Sequence, residues 1–298
     1  MTQKVPIVPP SRICPLCRVE TPRRERLRKG NYRLLECGEC GLVFTDHQPT
    51  VDQLEQLYGR DYFQGGGLNG YFDFNLCLRQ DRINFVRRLI KIERFVPGGK
   101  LLDVGCGTGL IFEVAGPQWE ICGVDISCYA VELARSRGHQ QVFCNDFFTL
   151  DLPKLSFDSV ICWGFLEHLP QPALLLERVH QLLKPGGVIN IVAGDVGSAF
   201  ARLCGQFWHI YTLPEVLEFF SVTTLSKMLS QSGFSVEHVS HETNFYTLDY
   251  LVERLARSLG TPIWRRRRPD KMIKLLNRIV LPVNFGDSMS VIARKAQE

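Results

Sequence analysis

A doubly wound α/β sheet of seven strands with an antiparallel edge strand, preceded by a small cysteine-rich unit, is the fold this sequence predicts. Three observations predict it. From Lys100 onward, short apolar runs alternate with helical stretches, the pattern of a parallel sheet with helices on both faces. Upstream stand two Cys-x-x-Cys pairs, Cys14-Pro-Leu-Cys17 and Cys37-Gly-Glu-Cys40, with 19 residues between them. The 298 residues are 45% hydrophobic and 22% charged, which provides for a large core and excludes a disordered, collagen-like or coiled-coil chain.

Taken in order, residues 1–48 read as a zinc ribbon. The spacing of the pairs falls in the range of about 15–20 residues expected of a four-cysteine site. Each pair can curl its sulfurs inward, and Gly38 and Gly41 permit the backbone angles that such turns need. Four thiolates from Cys14, Cys17, Cys37 and Cys40 leave no open position on the metal, so its role is structural. A redox disulfide is the alternative, and it explains one pair but not two. Metal binding supplies stability that so apolar-poor a segment lacks. The other seven cysteines (Cys77, Cys106, Cys122, Cys128, Cys144, Cys162 and Cys204) show no ligand spacing and read as small buried hydrophobes.

Residues 49–97 read as a lead-in: a short helix over 50–58, a mobile aromatic and glycine-rich loop from Tyr62 to Gly67, then a helix carrying Leu78, Phe85, Leu89, Ile92 and Val96 at helical spacing and ended by Pro97-Gly98-Gly99. In residues 98–298, strands are expected over 100–104, 120–125, 141–145, 157–163 and 188–193, with helices over 110–115, 128–137 and 173–183. Lys184-Pro185-Gly186-Gly187 breaks the last helix. Segments 234–243 and 288–294 have strand character and suit the sheet edge.

The run Leu101-Leu102-Asp103-Val104-Gly105-Cys106-Gly107-Thr108-Gly109 ends a strand, turns on glycines and opens a helix. A ligand can lie against such a backbone and face helix-terminal N–H groups. The spacing departs from the Gly-x-Gly-x-x-Gly dinucleotide fingerprint. Asp125 ends the next strand 20 residues after Gly105, where a carboxylate can accept two ribose hydroxyls.

From about Lys100 to Ala193 the chain resembles the class I S-adenosylmethionine-dependent methyltransferases, a Rossmann-like fold. Phe157 to Pro170 (FDSVICWGFLEHLP) and the Lys184 to Gly187 turn resemble the branch containing ubiquinone-type O-methyltransferases. The resemblance implies that Asp103 and the turn Gly105-Cys106-Gly107 hold the methionine part of S-adenosylmethionine, Asp125 the ribose, Asp146 and Phe147 the adenine edge and face, and Ile126 its other side. Trp163 is counted with these residues. Asp146 has a second reading, as a cap of a helix or turn.

Methyl transfer is an in-line displacement that needs alignment and exclusion of water. His168 follows the fourth strand, where acceptor meets cofactor, and can serve as a base; its alternative role is to orient the loop. Residues 195–225 read as a lid, with Phe200, Phe207, Trp208, Tyr211, Phe219 and Phe220 as aromatic walls and His209 or Glu215 as a polar group, or else as a helical insertion whose aromatics are core. Residues 245–285 carry two apolar helical faces around Trp264 and Arg265 to Arg268, which suits packing on the sheet or peripheral contact with an anionic membrane.

The expected activity is O-methylation of a small, lipid-linked or saccharide metabolite. The alternatives are an RNA methyltransferase gripping RNA through the ribbon, and a non-catalytic cofactor-binding partner. The ribbon's arginines permit RNA, but the Asn- or Asp-Pro-Pro-aromatic motif of base amino methylation is absent after the fourth strand. The net charge of +4 divides into +6 over residues 1–100, −8 over 101–244 and +6 over 245–298, an acidic core between basic flanks. With neither a spanning run nor a signal-peptide core, the expected location is cytoplasmic, with a peripheral option at the inner membrane face.

Overall fold

The first three strands form an antiparallel meander: β1 (Arg23–Lys29), β2 (Tyr32–Cys37) and β3 (Val43–Thr45). They come from a computed structural model, which describes residues 13–18, 23–46, 49–50, 53, 56–58, 60–63, 74–258 and 269–296. The helix expected over 50–58 is partly outside that set; Gln53, Gln56 and Leu57 are helical, and Arg60–Phe63 makes a further turn. The glycine loop at 65–67 lies outside the described residues. The long lead-in helix runs over Phe74–Glu93.

The five parallel strands follow in the expected places: β4 (Gly99–Val104), β5 (Trp119–Asp125), β6 (Val142–Cys144), β7 (Phe157–Trp163) and β8 (Leu183–Gly194). The Lys184 to Gly187 turn lies within β8 as an irregularity, where pairing jumps from Phe157 opposite Leu183 to Ser159 opposite Val188. A two-residue β9 (Glu218–Phe219) comes next, then β10 (Phe234–His241), a hairpin of β11 (Asn244–Thr247) and β12 (Val280–Val283), and β13 (Ser288–Lys295).

The seven-stranded sheet has the order β10-β13-β8-β7-β4-β5-β6. β13 is antiparallel to both neighbours and lies one strand in from the edge, between β8 and β10. Because the chain runs outward from β4 through β5 to β6 and then returns to β7 on the other side, the order reverses at β4. A crevice for ligands therefore opens at the carboxyl ends of these strands.

Side-chain alternation along the strands gives each face its own core. Leu102, Val104, Val160, Cys162, Ile189 and Ile191 pack with Leu175, Leu176 and Val179 of the helix Pro172–Leu182 and with Leu225, Met228 and Leu229 of the helix Val222–Gln231. Leu101, Ile161, Val188 and Ile292 pack with Leu89 and Ile92 of Phe74–Glu93. The ribbon joins this packing. Cys14, Leu16, Leu42 and Phe44 belong to the first core, while Leu34 and Val43 pack with Trp208, Tyr211, Leu213, Val216 and Phe219. Most of the lid aromatics are thus core, whereas Phe207 stays 82% exposed.

Among the seven cysteines read as buried thiols, the structure corrects two: Cys128 and Cys144 form a disulfide. Their 16-residue separation carries no signal by itself. Parallel pairing of β5 with β6, Asp125 opposite Cys144, brings the start of the next helix beside the end of β6. Cys106 and Cys162 are buried and free, Cys122 and Cys204 are free and half-buried, and the side chain of Cys77 lies outside the described set.

Phe44 is fully buried in the shared core. Phe44→Ala is expected to cost about 3–5 kcal/mol and to shift one cooperative unfolding transition of the whole chain; separate ribbon and sheet transitions in calorimetry would contradict a shared core.

Candidate active site and cysteine cluster

The turn after β4 uses left-handed backbone at Gly105 (φ 79°), Gly107 (φ 50°) and Gly109 (φ 76°), and the helix Leu110–Val114 starts from it. A Cβ on Gly105 would clash with the Phe165 ring, so glycine is required there by contact as well as by backbone angle. A Cβ on Gly107 would meet only Phe63, at 3.7 Å.

Asp125 joins this turn to the end of β5. Gly107 N–H donates to Oδ2 and Ser127 N–H to Oδ1, both at 2.8 Å. Each carboxylate oxygen keeps a second acceptor site, so the pair can still receive a vicinal diol. Asp103 is buried behind the turn; burial, followed by the charge of Asp125, pushes its carboxyl up to about 8. A bound cation would draw the proton off. Cys106 turns its side chain into a small core with Val131, Ala134 and Val142, leaving only its backbone to a ligand.

On the adenine side, the half-buried Ile126 precedes Ser127, whose side chain caps the helix Cys128–Ser136. Asp146 Oδ1 accepts Phe148 N–H at 2.9 Å, the turn-capping role. Phe147 is buried, with the Arg178 guanidinium 5.1 Å from its ring centre. The Cys128–Cys144 bridge links the segments that follow Asp125 and precede Asp146. Beside the glycine turn, Tyr62 and Phe63 meet edge to face, and the Phe63 ring centre lies 6.2 Å from that of Tyr129. Aromatic faces suit a sulfonium and a purine. Taken together, a diol acceptor, a buried carboxylate and aromatic faces fit S-adenosylmethionine.

Trp163 at the end of β7 faces the helix Phe74–Glu93. Its indole N–H donates to Asn190 Oδ1 at 2.6 Å, Phe85 packs edge-on, and Arg88 lies 5.4 Å from the ring. Arg88, on the same helix, is thus drawn inward against the end of β7.

His168 closes the short helical turn Leu166–His168. Its Nδ1 lies 2.9 Å from both the Glu215 carbonyl oxygen and the Tyr58 hydroxyl. A carbonyl only accepts, so Nδ1 carries the proton and Nε2 presents its lone pair. Burial lowers the imidazole to about 4, against a smaller opposing effect of the Glu215 carbonyl. It is therefore neutral at physiological pH. The adjacent Glu167 is pushed up by burial to about 7. The structure does not bring His209 to this group. Its Nδ1 lies 3.6 Å from Asp287, which also accepts the Trp208 indole N–H at 2.9 Å. Tyr58, 110 residues from His168, had no motif to reveal it.

In the cysteine cluster, Cys14 and Cys40 sulfurs lie 3.5 Å apart, as do those of Cys17 and Cys37, and all four fall within 4.8 Å of one another. Disulfides would need about 2.05 Å. A tetrahedron with arms of ~2.3 Å has edges near 3.8 Å, so the cage fits a zinc-sized ion. Burial pushes the Cys14 and Cys40 thiols up, a cost that a divalent cation removes by replacing protons.

Residues 78–239, more than half the chain, match a family model described as a methyltransferase domain. The chain belongs to the methyltransferase family. It is a methyl-transferring enzyme, and its fold supports S-adenosylmethionine as donor. It is 28% identical over 168 residues, 51% of this chain and 68% of that protein, to a ubiquinone biosynthesis O-methyltransferase of Xylella fastidiosa (strain 9a5c). It is also 28% identical over 159 residues, 49% and 68% of the two chains, to the protein of that name from Thiobacillus denitrificans (strain ATCC 25259 / T1). Among solved structures, the YcgJ protein of Bacillus subtilis superposes with TM-score 0.52 at 18% identity, covering 72% of this methyltransferase and 99% of that chain. The [4+2]-cyclase SpnF gives TM-score 0.52 at 20% identity, covering 84% and 97%. These two superpositions show the shared fold.

Asp125→Ala removes the acceptor for two backbone N–H groups and, on the ribose assignment, for a vicinal diol. Calorimetric affinity for S-adenosylmethionine should fall at least about tenfold, ~1.4 kcal/mol; unchanged affinity would refute the ribose assignment.

Proposed function

We propose that this methyltransferase transfers a methyl group to a hydroxyl of a small, lipid-linked or saccharide acceptor, with His168 receiving the hydroxyl proton. The placement of His168 carries this reading. It follows β7 at the carboxyl end of the sheet, its Nδ1–H is committed to Glu215, and it stays unprotonated at neutral pH. S-adenosylmethionine supplies an electrophilic methyl on a sulfonium. The glycine turn and Asp125 hold the donor, the Tyr58, Tyr62 and Phe63 wall excludes water, and His168 Nε2 takes the proton as the acceptor oxygen forms its bond to carbon. The O-methyltransferase names of the curated relatives support a hydroxyl acceptor.

In this reading the four cysteines hold a structural zinc. The ribbon's cations support a small acceptor over RNA: Arg18 pairs with Glu177, Arg26 with Glu36, Arg28 with Glu25 and Arg33 with Asp46, while Lys29 donates to the Tyr211 carbonyl. Peripheral membrane contact through 245–285 belongs to the same reading. Leu275 is 58% and Phe285 52% exposed, while Arg265 to Arg268 lie outside the described residues. Among the described residues, no helix is long and apolar enough to cross a membrane.

Incubation with methyl-labelled S-adenosylmethionine and separated lipid, small-metabolite and RNA fractions should label the first two. Label confined to RNA would overturn the proposal, and binding without any transfer would point to a non-catalytic partner. His168→Gln should lower kcat by about 10²-fold or more with cofactor affinity retained. Because the imidazole sits near 4, the acid limb of kcat/KM should fall below pH 5; a limb near 6.5 would contradict the assignment.

A further inference from the structure

The four-cysteine knuckle and His168 are joined by one short run of hydrogen bonds, backbone to backbone until the last, which the His168 imidazole makes. Gly41 N–H donates to the Cys37 carbonyl at 3.0 Å and Cys37 N–H to the Leu42 carbonyl at 2.9 Å, so the knuckle closes on the residue that precedes β3. β3 then pairs with β9, Val43 opposite Phe219 and Phe44 opposite Glu218, and Thr45 N–H donates to the Leu217 carbonyl at 2.8 Å. On its other side, Leu217 N–H donates to the Glu167 carbonyl at 2.8 Å, and the Glu215 carbonyl accepts from His168 Nδ1 at 2.9 Å. The segment 215–219 thus lies between the ribbon and the turn that carries His168.

The ribbon supplies what this segment lacks. β9 has two residues and, among the described residues, pairs in its sheet with β3 alone. A strand so short depends on its neighbour for a fixed position. β3 has three residues, held by β2 on one side and entered directly from the Cys37 to Cys40 knuckle. Val43 and Phe44 are fully buried and Phe219 is 2% exposed, so the contact is dry as well as hydrogen-bonded.

We propose that the four-cysteine ribbon is a positioning element for methyl transfer: β3 sets the height of residues 215–219, and the Glu215 carbonyl thereby fixes the orientation and tautomer of His168. The metal acts at a distance, by keeping β3 formed. The inference rests on the reading of His168 as proton acceptor, and the test separates the two.

The full-length protein, labelled with ¹⁵N-histidine, is followed by NMR, with His168 assigned by loss of its signals in His168→Gln. Chelation of zinc from the wild-type chain, and separately Thr45→Pro, which deletes the N–H donated to Leu217, should shift His168 ring-nitrogen signals away from a single Nδ1–H tautomer. Both take away a carbonyl contact that raises the imidazole, so its protonation midpoint should fall and not rise. Calorimetric affinity for S-adenosylmethionine should stay within about twofold, because the hydrogen bonds that hold Asp125 run to Gly107 and Ser127 and not through β3. Zinc re-addition should restore the signals in the chelated wild type but not in Thr45→Pro. Thr45→Ala keeps the N–H and should resemble wild type. His168 signals unchanged after metal removal would overturn the proposal, as would a cofactor affinity that falls in step with them, since that reports general unfolding. Wild-type turnover of His168→Gln on the labelled acceptor fraction would instead overturn the proton-acceptor reading, whatever the ribbon arms show.

Discussion

The carboxylate of Asp125 is the constraint on which the site depends. The glycine turn leaves β4 in left-handed backbone, a conformation that gives it little stiffness of its own. By accepting N–H groups from Gly107 and from Ser127, Asp125 ties the turn to the start of the following helix with charge-assisted bonds. Gly105 is pressed against Phe165 from the strand on the other side. The crevice at the strand-order reversal is therefore framed by three strands, β5, β4 and β7, before any ligand arrives.

Burial disfavours charge on the groups around that frame. Burial raises Asp103 to about 8 and Glu167 to about 7, and lowers His168 to about 4. These shifts oppose one another in stability. For the two acids, whose folded values are raised, the favourable contribution is present below the unfolded values near 4 and is lost as pH rises through 7 to 8. For His168, whose folded value is depressed, the contribution is present above 6.5 and is lost as pH falls through about 4. The resting site thus holds acids that a bound cation would ionise and an imidazole that is unprotonated at neutral pH.

The parallel sheet was legible because its strands are local apolar runs with strong boundaries. β7 lies where the sequence places it, and β4, β5 and β6 differ by one or two residues at their ends. The glycine turn and Asp125 were legible because chemistry and spacing coincide within 25 residues. What escaped was non-local. β9 is two residues inside an aromatic run, and its partner β3 lies about 175 residues earlier. Tyr58 and His168 are 110 residues apart, and Cys128 and Cys144 meet only through parallel strand pairing. In each case the meaning belongs to a pairing rather than to a segment.

The same distinction bears on the basic ribbon. Its positive charge faces an acidic core region, and Arg18–Glu177 spans the two, yet both side chains are more than half exposed, where an ion pair contributes at most about 1 kcal/mol. Leu34, Leu42, Val43 and Phe44 are each fully buried against the sheet or the lid, at about 1.5–3 kcal/mol apiece. Apolar contact therefore outweighs charge in holding the ribbon. Because that contact falls on β3 and the lid, the force that docks the ribbon also orders the backbone behind His168.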